Sequence, residues 1–422
     1  MQSQETKALT GNRNGRFNWR WLPPSTTRDA AVLLWSRGVR AFADGFVSVL
    51  LPIYLLGLGF DGLQIGAVAT STLVGSAALT LLVGLIAHRF RARPLLGSAA
   101  LLMAATGVAF AIVTGFWPLL IVAFVGTLNP SSGDVSVFLP LEQSILSRTV
   151  APSERTALFA RYSVVGSLVA AVGSLCAGVP DLIATRGMLP LSQALQGMFV
   201  LYGVLGLLAF ALYRRLSPSL EEQQQVRAPL TESRRIVYRL AALFALDSLG
   251  GGFVVQSLLA LWLFERFGLS AATAGTIFFW TGVMSAGSYL VAVPLAKRFG
   301  LVNTMVFTHL PSNVLLLLVP FMPSLALAIV LLLVRSALSQ MDVPTRNSYV
   351  MAVVPPAERP AAASVTTVPR SLAQAAPPLL SGYLLGLSSF GWPLVIAGAL
   401  KGVYDLLLLA MFARVRPPEE VD

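Results

Sequence analysis

The sequence predicts an all-α polytopic membrane protein, with 12 transmembrane helices arranged as two pseudo-symmetric six-helix bundles. Three observations predict this fold class. Only 12% of the 422 residues are charged, against roughly 25% in soluble proteins. Apolar runs of about 18–28 residues recur from one end of the chain to the other, and each is long enough to cross a membrane. Short motifs of the first half return at corresponding places in the second half.

Each apolar run is predicted to be one spanning helix, because about 20 apolar residues in a helix cross roughly 30 Å of hydrocarbon. The loops between most runs are only a few residues long, so consecutive spans are expected to be antiparallel neighbours. In chain order, the twelve predicted spans have the approximate limits 30–57, 63–87, 94–115, 118–146, 157–179, 195–213, 238–264, 271–296, 301–320, 324–351, 361–386 and 391–413.

The hydrophilic segments predict the domain organisation. Residues 1–28 form a polar, Arg-rich cytoplasmic tail, and residues 29–213 hold the first bundle. Residues 214–237 are the one substantial hydrophilic interruption and are predicted to link the bundles. The second bundle is predicted over 238–413, followed by a short cytoplasmic tail at 414–422.

The net charge of +11 follows from the distribution of basic residues among the loops. Only Arg186 and Arg266 lie in loops on one side of the predicted membrane, which is the positive-inside pattern. We therefore expect a multi-pass protein of the cell (inner) membrane with both termini in the cytoplasm. The charge gives no reason to expect nucleic acid as a partner, whereas membrane lipids fit it. The basic residues on the cytoplasmic side are Lys7, Arg13, Arg16, Arg20, Arg28, Arg89, Arg91, Arg93, Arg214, Arg215, Arg227, Arg234, Arg235 and Arg239.

Two motifs relate the halves of the chain. The sequence GLIAHRF at 84–90 returns as VPLAKRF at 293–299, and PSER at 152–155 returns as PAER at 356–359. Paired halves with corresponding features in a membrane chain are the architecture expected of a secondary transporter.

The first motif resembles the signature that members of the major facilitator superfamily carry between spans two and three. That resemblance implies a transporter in which spans one, four, seven and ten line a central cavity. We expect a monomer that binds a small molecule and needs no cofactor. The sequence departs from the family pattern at His88 in the first copy of the motif and at Lys297 in the second, where relatives have an acidic residue. The contact that this acid makes in relatives is therefore not expected here. The residues that carry the resemblance are Gly84, Ile86, Ala87, His88, Arg89, Arg93 and Leu96.

Ionisable residues within the predicted spans are candidates for substrate binding or coupling, because a charge in hydrocarbon is unfavourable without a function or a partner. Arg40 and Asp44 lie one turn apart on span one, so they could form a structural pair, or Asp44 could be a carboxylate that binds the coupling proton. On span seven, Asp247 precedes three glycines at 250–252, where the helix is expected to bend, and Gln256 follows them.

Spans four and ten supply the other candidates for binding and coupling. Asn129 and Asp134 flank Pro130, which predicts a kink in span four with a polar wall beside it. These polar groups could equally satisfy the backbone of the kink. Arg335 lies near the middle of span ten, about 18 Å from its start, and Asp342 follows two turns later. Arg335 needs either a lasting carboxylate partner or an anionic substrate.

A second set of residues is predicted to form a cytoplasmic gate. Glu142 and Arg346 occupy corresponding positions in the two halves, and their opposite charges could join the halves when the cytoplasmic side closes. His309 and the Lys401/Asp405 pair lie on spans that we expect to support the fold, the pair as a packed ion pair. The gate residues are Gly84, Arg89, Arg93, Glu142, Arg346 and Arg370.

The favoured functional hypothesis is a secondary active transporter that exports a small organic solute in exchange for protons. The alternative is proton-coupled uptake of an anionic or zwitterionic metabolite. A lipid-moving protein or membrane enzyme is less supported, because the sequence has no nucleophile elbow, phosphate-binding loop or zinc-protease motif. Cys176 is the only cysteine and there are two histidines, so no metal site is predicted.

Overall fold

The computed structural model describes residues 22–86, 91–131, 136–146, 149–150, 155–217, 230–355 and 358–413. All regular elements in these ranges are helical. Ten helical stretches are long and apolar enough to cross a membrane, and Phe116–Val125 is a shorter apolar helix. The helices of the N-terminal half are α1 (Arg28–Gly57), α2 (Gly62–Ile86), α3 (Ala92–Ile112), α4 (Phe116–Val125), α5 (Phe138–Leu146), α6 (Arg155–Leu175), α7 (Val179–Thr185) and α8 (Leu191–Tyr213).

The C-terminal half repeats this arrangement of helices. The predicted spans four, seven, ten and eleven are each divided into two helices, so the count of 12 remains a prediction. The helices of this half are α9 (Arg234–Phe253), α10 (Gln256–Phe267), α11 (Ala271–Phe299), α12 (Leu301–Leu318), α13 (Leu325–Ser339), α14 (Asp342–Ala352), α15 (Arg359–Ala375), α16 (Pro377–Leu387) and α17 (Trp392–Phe412).

The helix contacts of the two halves correspond. In the N-terminal half α1 packs on α6 and α3 packs on α8, and in the C-terminal half α9 packs on α15 and α12 packs on α17. The halves meet through two corresponding pairs, α6 with α11 and α2 with α16. These pairings confirm the predicted pseudo-symmetric fold.

The broken spans have local causes. Between α4 and α5 the chain leaves the helix at Gly126, four residues before Pro130, which agrees with the predicted kink. The predicted bend at the glycines 250–252 is wrong. These glycines are helical, and the interruption lies at Val254 and Val255. A side chain at Gly250 would come within 2.9 Å of Lys401, so this glycine allows close packing rather than unwinding.

We call the end of the bundle where α8 ends and α9 begins the linker face, and the opposite end the far face. The close contacts between the halves lie toward the far face. A Cβ atom on Gly62 of α2 would be 2.7 Å from the carbonyl oxygen of Gly382 on α16. On the other side, one on Gly178, just after α6, would be 2.8 Å from Ala272 of α11. Small residues allow helix backbones to approach this closely in lipid.

The apolar core follows the same division. One buried cluster extends from α1 of the N-terminal half to Leu258–Leu263 of α10, and so crosses between the halves. A second cluster lies wholly in the C-terminal half and includes Phe244, Met305 and Tyr404. Large apolar side chains such as Trp117 remain exposed on the outside, as expected for a surface that faces lipid.

Candidate functional site

A cavity of about 310 Å³ lies between the halves, on the linker side of the far-face contacts. Helices of both halves contribute to it, including Ser167 and Ser174 of α6 and Gln256 of α10. Its wall is rich in ionisable groups. They are Arg37, Asp247, His309, Arg335, Asp342, Arg346, Arg370 and Lys401.

Asp247 is the carboxylate that joins the largest number of these groups. Its Oδ1 accepts a hydrogen bond of 2.6 Å from Nζ of Lys401, and its Oδ2 accepts one of 3.1 Å from Nη1 of Arg346. Nε2 of His309 lies 3.9 Å from Oδ1. Asp342 is one turn before Arg346 on α14 and lies 3.3 Å from the same guanidinium. Four helices therefore meet through one buried network of charges.

A second carboxylate contacts His309 on the side of the ring away from Asp247. Its Nδ1 lies 2.9 Å from Oδ1 of Asp405, and Nδ2 of Asn313 donates a hydrogen bond of 2.8 Å to Oδ2 of Asp405. Asp405 is completely buried. The expected Lys401/Asp405 pair is wrong, since Lys401 bonds Asp247 and Asp405 bonds the histidine. Likewise, His309 and Lys401 line the cavity rather than only supporting the fold.

Arg335 and Arg370 also line the cavity. Arg335 has a buried Nε atom with no hydrogen-bond partner in the described ranges, and its guanidinium forms no ion pair there. Nε of Arg370 donates to the hydroxyl of Ser248 at 3.3 Å. Arg335 was predicted to bind either a carboxylate or a substrate anion, and its position leaves the second role open to it.

A separate buried cluster occupies the N-terminal half. The carboxylate of Glu142 accepts hydrogen bonds from Arg40, from the hydroxyl of Tyr162 and, at 2.6 Å, from that of Tyr213. Arg40 also packs over the ring of Phe138, 4.1 Å from its centroid. Arg40 therefore pairs with Glu142 rather than with Asp44, and none of these groups lines the cavity.

Asp44 is buried on α1 and does not line the cavity. Among the described residues it forms no ion pair within 4.0 Å. Arg37 of the same helix is buried, lines the cavity and lies over the ring of Tyr162. The charged residue that α1 contributes to the cavity wall is therefore Arg37, and not Arg40 or Asp44 of the predicted pair.

The remaining candidates for binding have different positions. Gln256 lines the cavity and donates to Ser174 of the other half at 3.4 Å. Asn129 is buried and accepts hydrogen bonds from the backbone and hydroxyl of Ser131, so it stabilises the turn after the helix break. Asp134 lies outside the described residues.

The predicted gate residues do not form one group in this conformation. Glu142 and Arg346 belong to the two separate networks, and Arg346 and Arg370 line the cavity. Arg93 donates to the backbone carbonyl of Arg214 at the linker face. Gly84 lies in the last turn of α2, and Arg89 lies outside the described residues.

Glu358 of the PAER motif has a defined structural role at the linker face. The carboxylate of Glu358 accepts hydrogen bonds from the backbone N–H groups of Thr231, Glu232 and Ser233 and from the hydroxyls of Thr231 and Ser233. The hydroxyls of Ser233 and Thr231 are the main reason that the pKa of Glu358 falls to about 2. Glu358 thus anchors the start of α9, where backbone N–H groups favour an anion.

The sequence interpretation did not place Arg37, His309 and Lys401 in the cavity, and it did not predict Asp405 and Asn313 behind the histidine. Two signals could have found some of them: a histidine within a predicted span and a lysine in mid-membrane both require a partner. In the described ranges no group of three or more His, Cys, Asp or Glu side chains is arranged to hold a metal ion.

Comparison with known proteins identifies the family. A model of the Major Facilitator Superfamily matches residues 33–308 and 240–422. The chain is 23% identical over 425 residues to the uncharacterized membrane protein YJR124C of Saccharomyces cerevisiae, covering 92% of this chain and 95% of that protein.

Solved structures agree in fold. The xylose transporter XylE from E. coli, in a partially occluded inward open conformation, superposes with a TM-score of 0.69 at 14% identity, over 93% of this chain and 99% of that one. The human organic anion transporter MFSD10 (TETRAN) has a TM-score of 0.64 at 18% identity, over 92% and 100% of the two chains. These likenesses concern the fold alone, whereas the family model matches more than half of the sequence. The chain therefore belongs to the Major Facilitator Superfamily of secondary transporters.

Proposed function

We propose that this transporter moves a small organic anion together with a proton, and that the cavity between its halves binds both. The observation that carries the proposal is the charge of the cavity wall. Among the described residues, five cationic side chains line the cavity with two carboxylates, those of Asp247 and Asp342. A cavity of this composition attracts an anion, and an arginine can bind a carboxylate or phosphate through two parallel hydrogen bonds.

Asp247 is our candidate for the carboxylate that couples the solute to the proton. While Asp247 is ionised, its carboxylate binds the cationic side chains of Lys401 and Arg346 through hydrogen bonds. Adding a proton to this network weakens these bonds and makes the two cations available to a solute anion. Proton and anion then bind together, which favours cotransport over the exchange suggested by the sequence. Asp44 is less suited to this role because it does not line the cavity.

We further propose that the linker face is cytoplasmic. Arg28, Arg214, Arg215, Arg234 and Arg235 lie at this face, as the positive-inside rule expects for the inner side of a cell membrane. With this orientation the far-face contacts close the cavity toward the outside, so the structure is an inward-facing state of an alternating-access cycle. The described residues of one chain line the cavity from both halves, and we propose a monomer as the functional unit.

Flux into proteoliposomes with an imposed pH gradient tests the proposed function. The solutes are radiolabelled lactate, succinate, benzoate and glutamate, with protein-free liposomes as the background. An inward proton gradient should drive accumulation of at least one of these anions. Arg335→Gln should lower that flux about ten-fold or more, since a charged hydrogen bond to the solute is lost. Arg215→Gln is the matched control, because it removes an exposed arginine outside the cavity.

Two outcomes would contradict the proposal. Flux that is driven only by a proton gradient of the opposite direction would establish exchange instead of cotransport. Equal flux in wild type, Arg335→Gln and Asp44→Asn would show that neither the Arg335 charge in the cavity nor the Asp44 charge on α1 takes part in transport. We expect Asp44→Asn to retain flux within about two-fold of wild type, because Asp44 makes no contact with the cavity network.

A further inference from the structure

His309 lies between two carboxylates from two other helices, and only one of them faces the cavity. We propose that His309 carries the coupling proton, and that the protonated ring takes Asp247 from Lys401 and so releases the lysine to the solute. This inference rests on the proposed function and adds the residue that binds the proton. It assigns Asp405 as a positioning residue behind the histidine.

The first step is the choice of ring nitrogen. Asp405 is completely buried and accepts from Asn313, so its carboxylate is fixed beside Nδ1 of His309 at 2.9 Å. The amide Nδ2 of Asn313 lies 3.1 Å from the same Nδ1, but the charged carboxylate is the stronger partner. It favours a proton on Nδ1 and leaves Nε2 as the nitrogen that gains or loses one. The same arrangement of carboxylate and imidazole orients the ring and stabilises its charged form in hydrolases.

The second step is a competition for one oxygen atom. Nε2 of His309 and Nζ of Lys401 both point to Oδ1 of Asp247, at 3.9 Å and 2.6 Å. In the neutral ring Nε2 has no proton to donate, so Lys401 keeps the bond. Once Nε2 is protonated, an approach of about 1 Å brings it to hydrogen-bond distance. The imidazolium then repels the ammonium of Lys401 and replaces it at Asp247.

The third step is that the released ammonium of Lys401 becomes available to bind the solute. Lys401 lines the cavity, and its side chain packs against the backbone of Gly250 and Gly251 of α9. One proton on His309 therefore adds a positive charge to the cavity wall and frees a second one from its carboxylate. Both changes favour the binding of an anion, so proton and solute bind cooperatively.

The groups that face His309 from the packed helices decide how readily it binds the proton. Two titratable tyrosine rings border the region around His309, Tyr289 on α11 and Tyr404 on α17. Carboxylates favour the charged ring and cations oppose it, and each ring nitrogen has a carboxylate within 4.0 Å. The charged groups are Asp247 on α9, Arg335 on α13, Asp342 and Arg346 on α14, and Lys401 and Asp405 on α17.

Nuclear magnetic resonance of ¹⁵N-labelled histidine tests the proposal without any solute. The chain has two histidines, so His88→Gln leaves His309 as the only signal. In nanodiscs, Nδ1 should stay protonated from pH 8 to pH 5, while Nε2 gains a proton within this range. Asp405→Asn should lower the proton affinity of the ring about ten-fold, which shifts its titration by about one pH unit. Lys401→Met should raise the affinity, since the competing cation is removed.

The control is Arg215→Gln, which should leave the titration unchanged. A ring that does not titrate between pH 5 and pH 8, or one whose titration is the same in Asp405→Asn, would overturn the proposal. If Asp405→Asn does not fold, Asn313→Leu serves in its place, because it removes the donor that holds the carboxylate of Asp405.

A transport measurement separates this proposal from the proposed function. In proteoliposomes loaded with the anion that wild type accumulates, His309→Gln should abolish accumulation driven by the pH gradient and retain exchange of labelled for unlabelled anion. If His309→Gln still accumulates the anion, His309 is not the proton carrier and the proposed function stands. If wild type moves none of the tested anions but His309 titrates as described, the proposed function fails and the proton site stands.

Discussion

Lys401 donates a hydrogen bond of 2.6 Å to Asp247, a residue 154 positions earlier in the chain. The contact joins α17 to α9 within the interior of the C-terminal half, and both side chains are buried. It also joins a helix that we expected to support the fold to one that we expected to line the cavity. Its removal has consequences for stability that can be measured apart from transport.

Asp247→Asn should destabilise the protein, because Lys401 and Arg346 lose the carboxylate that neutralises them. Loss of one partner from a buried ion pair lowers the free energy of unfolding by about 3–5 kcal/mol. The change should appear as a lower midpoint of thermal unfolding in detergent micelles. Adding Lys401→Met to Asp247→Asn should restore part of the stability, since one uncompensated cation is removed. A single variant as heat-stable as Arg215→Gln would contradict this prediction.

The cluster of Glu142, Arg40, Tyr162 and Tyr213 is predicted to stabilise the N-terminal half and to play no part in binding. Glu142→Gln should therefore lower the thermal stability through an uncompensated Arg40. The double variant Arg40→Met, Glu142→Leu replaces both charges by apolar groups and should be about as stable as wild type. It should also retain transport. A stable double variant that has lost transport would return Arg40 to the coupling role first predicted for it.

The approach of α2 to α16 at the far face is predicted to require glycine at position 382. Gly382→Ala places a methyl group against the carbonyl oxygen of Gly62, so the closed far face becomes less favourable. Gly386→Ala on the same helix is the matched control, since a Cβ atom there meets no atom within 4 Å. Spin labels at positions 61 and 270 should report longer distances across the far face in Gly382→Ala only. Identical distance distributions in the two variants would exclude this explanation.

The anchoring of α9 by Glu358 is predicted to depend on pH. The hydroxyls of Ser233 and Thr231 keep the pKa of Glu358 at about 2, below its ordinary value of 4.5. A carboxylate with a lowered pKa stabilises the folded state above pH 4.5, and the contribution is lost as the pH falls from 4.5 toward 2. Glu358→Gln should therefore unfold at a lower temperature than wild type at pH 7, and this difference should shrink below pH 4.5.

The control for this prediction is Glu232→Gln, which removes a neighbouring exposed carboxylate that accepts no such set of bonds. Its unfolding temperature should follow that of wild type at every pH. A difference between wild type and Glu358→Gln that stays constant from pH 7 to pH 3 would show that the carboxylate is not the group responsible.

The sequence was sufficient to predict the helical fold, because hydrophobic length is a local property of the chain. It also predicted Asp247, Gln256, Arg335 and Asp342 as candidates, and each of them lines the cavity. The partners of these residues were not predictable in the same way. Lys401 and Asp405 lie one turn apart, which favours a local pair, but the packing of α17 on α9 and α12 directs them to different partners.

The glycines at 250–252 show a second limit of local rules. Their propensity favours an interruption of the helix, yet α9 continues to Phe253 because these positions are needed for close packing against Lys401 and Gln374. The interruption falls instead at Val254 and Val255, which carry no such signal in the sequence. Tertiary contacts decided both outcomes, and they form between residues more than a hundred positions apart.

The backbone N–H of Ser257, in the first turn of α10, donates to the carbonyl oxygen of Pro130 at 3.0 Å. Ser257 lies in the first turn of α10, where a backbone N–H has no partner within its own helix, and Pro130 follows the end of α4. When the halves separate at the far face, each of these polar groups must be met by a water molecule, since lipid offers it nothing. Opening toward the far face therefore requires water to enter between the halves. A high concentration of an osmolyte that is excluded from the protein surface should slow the transport cycle at this step.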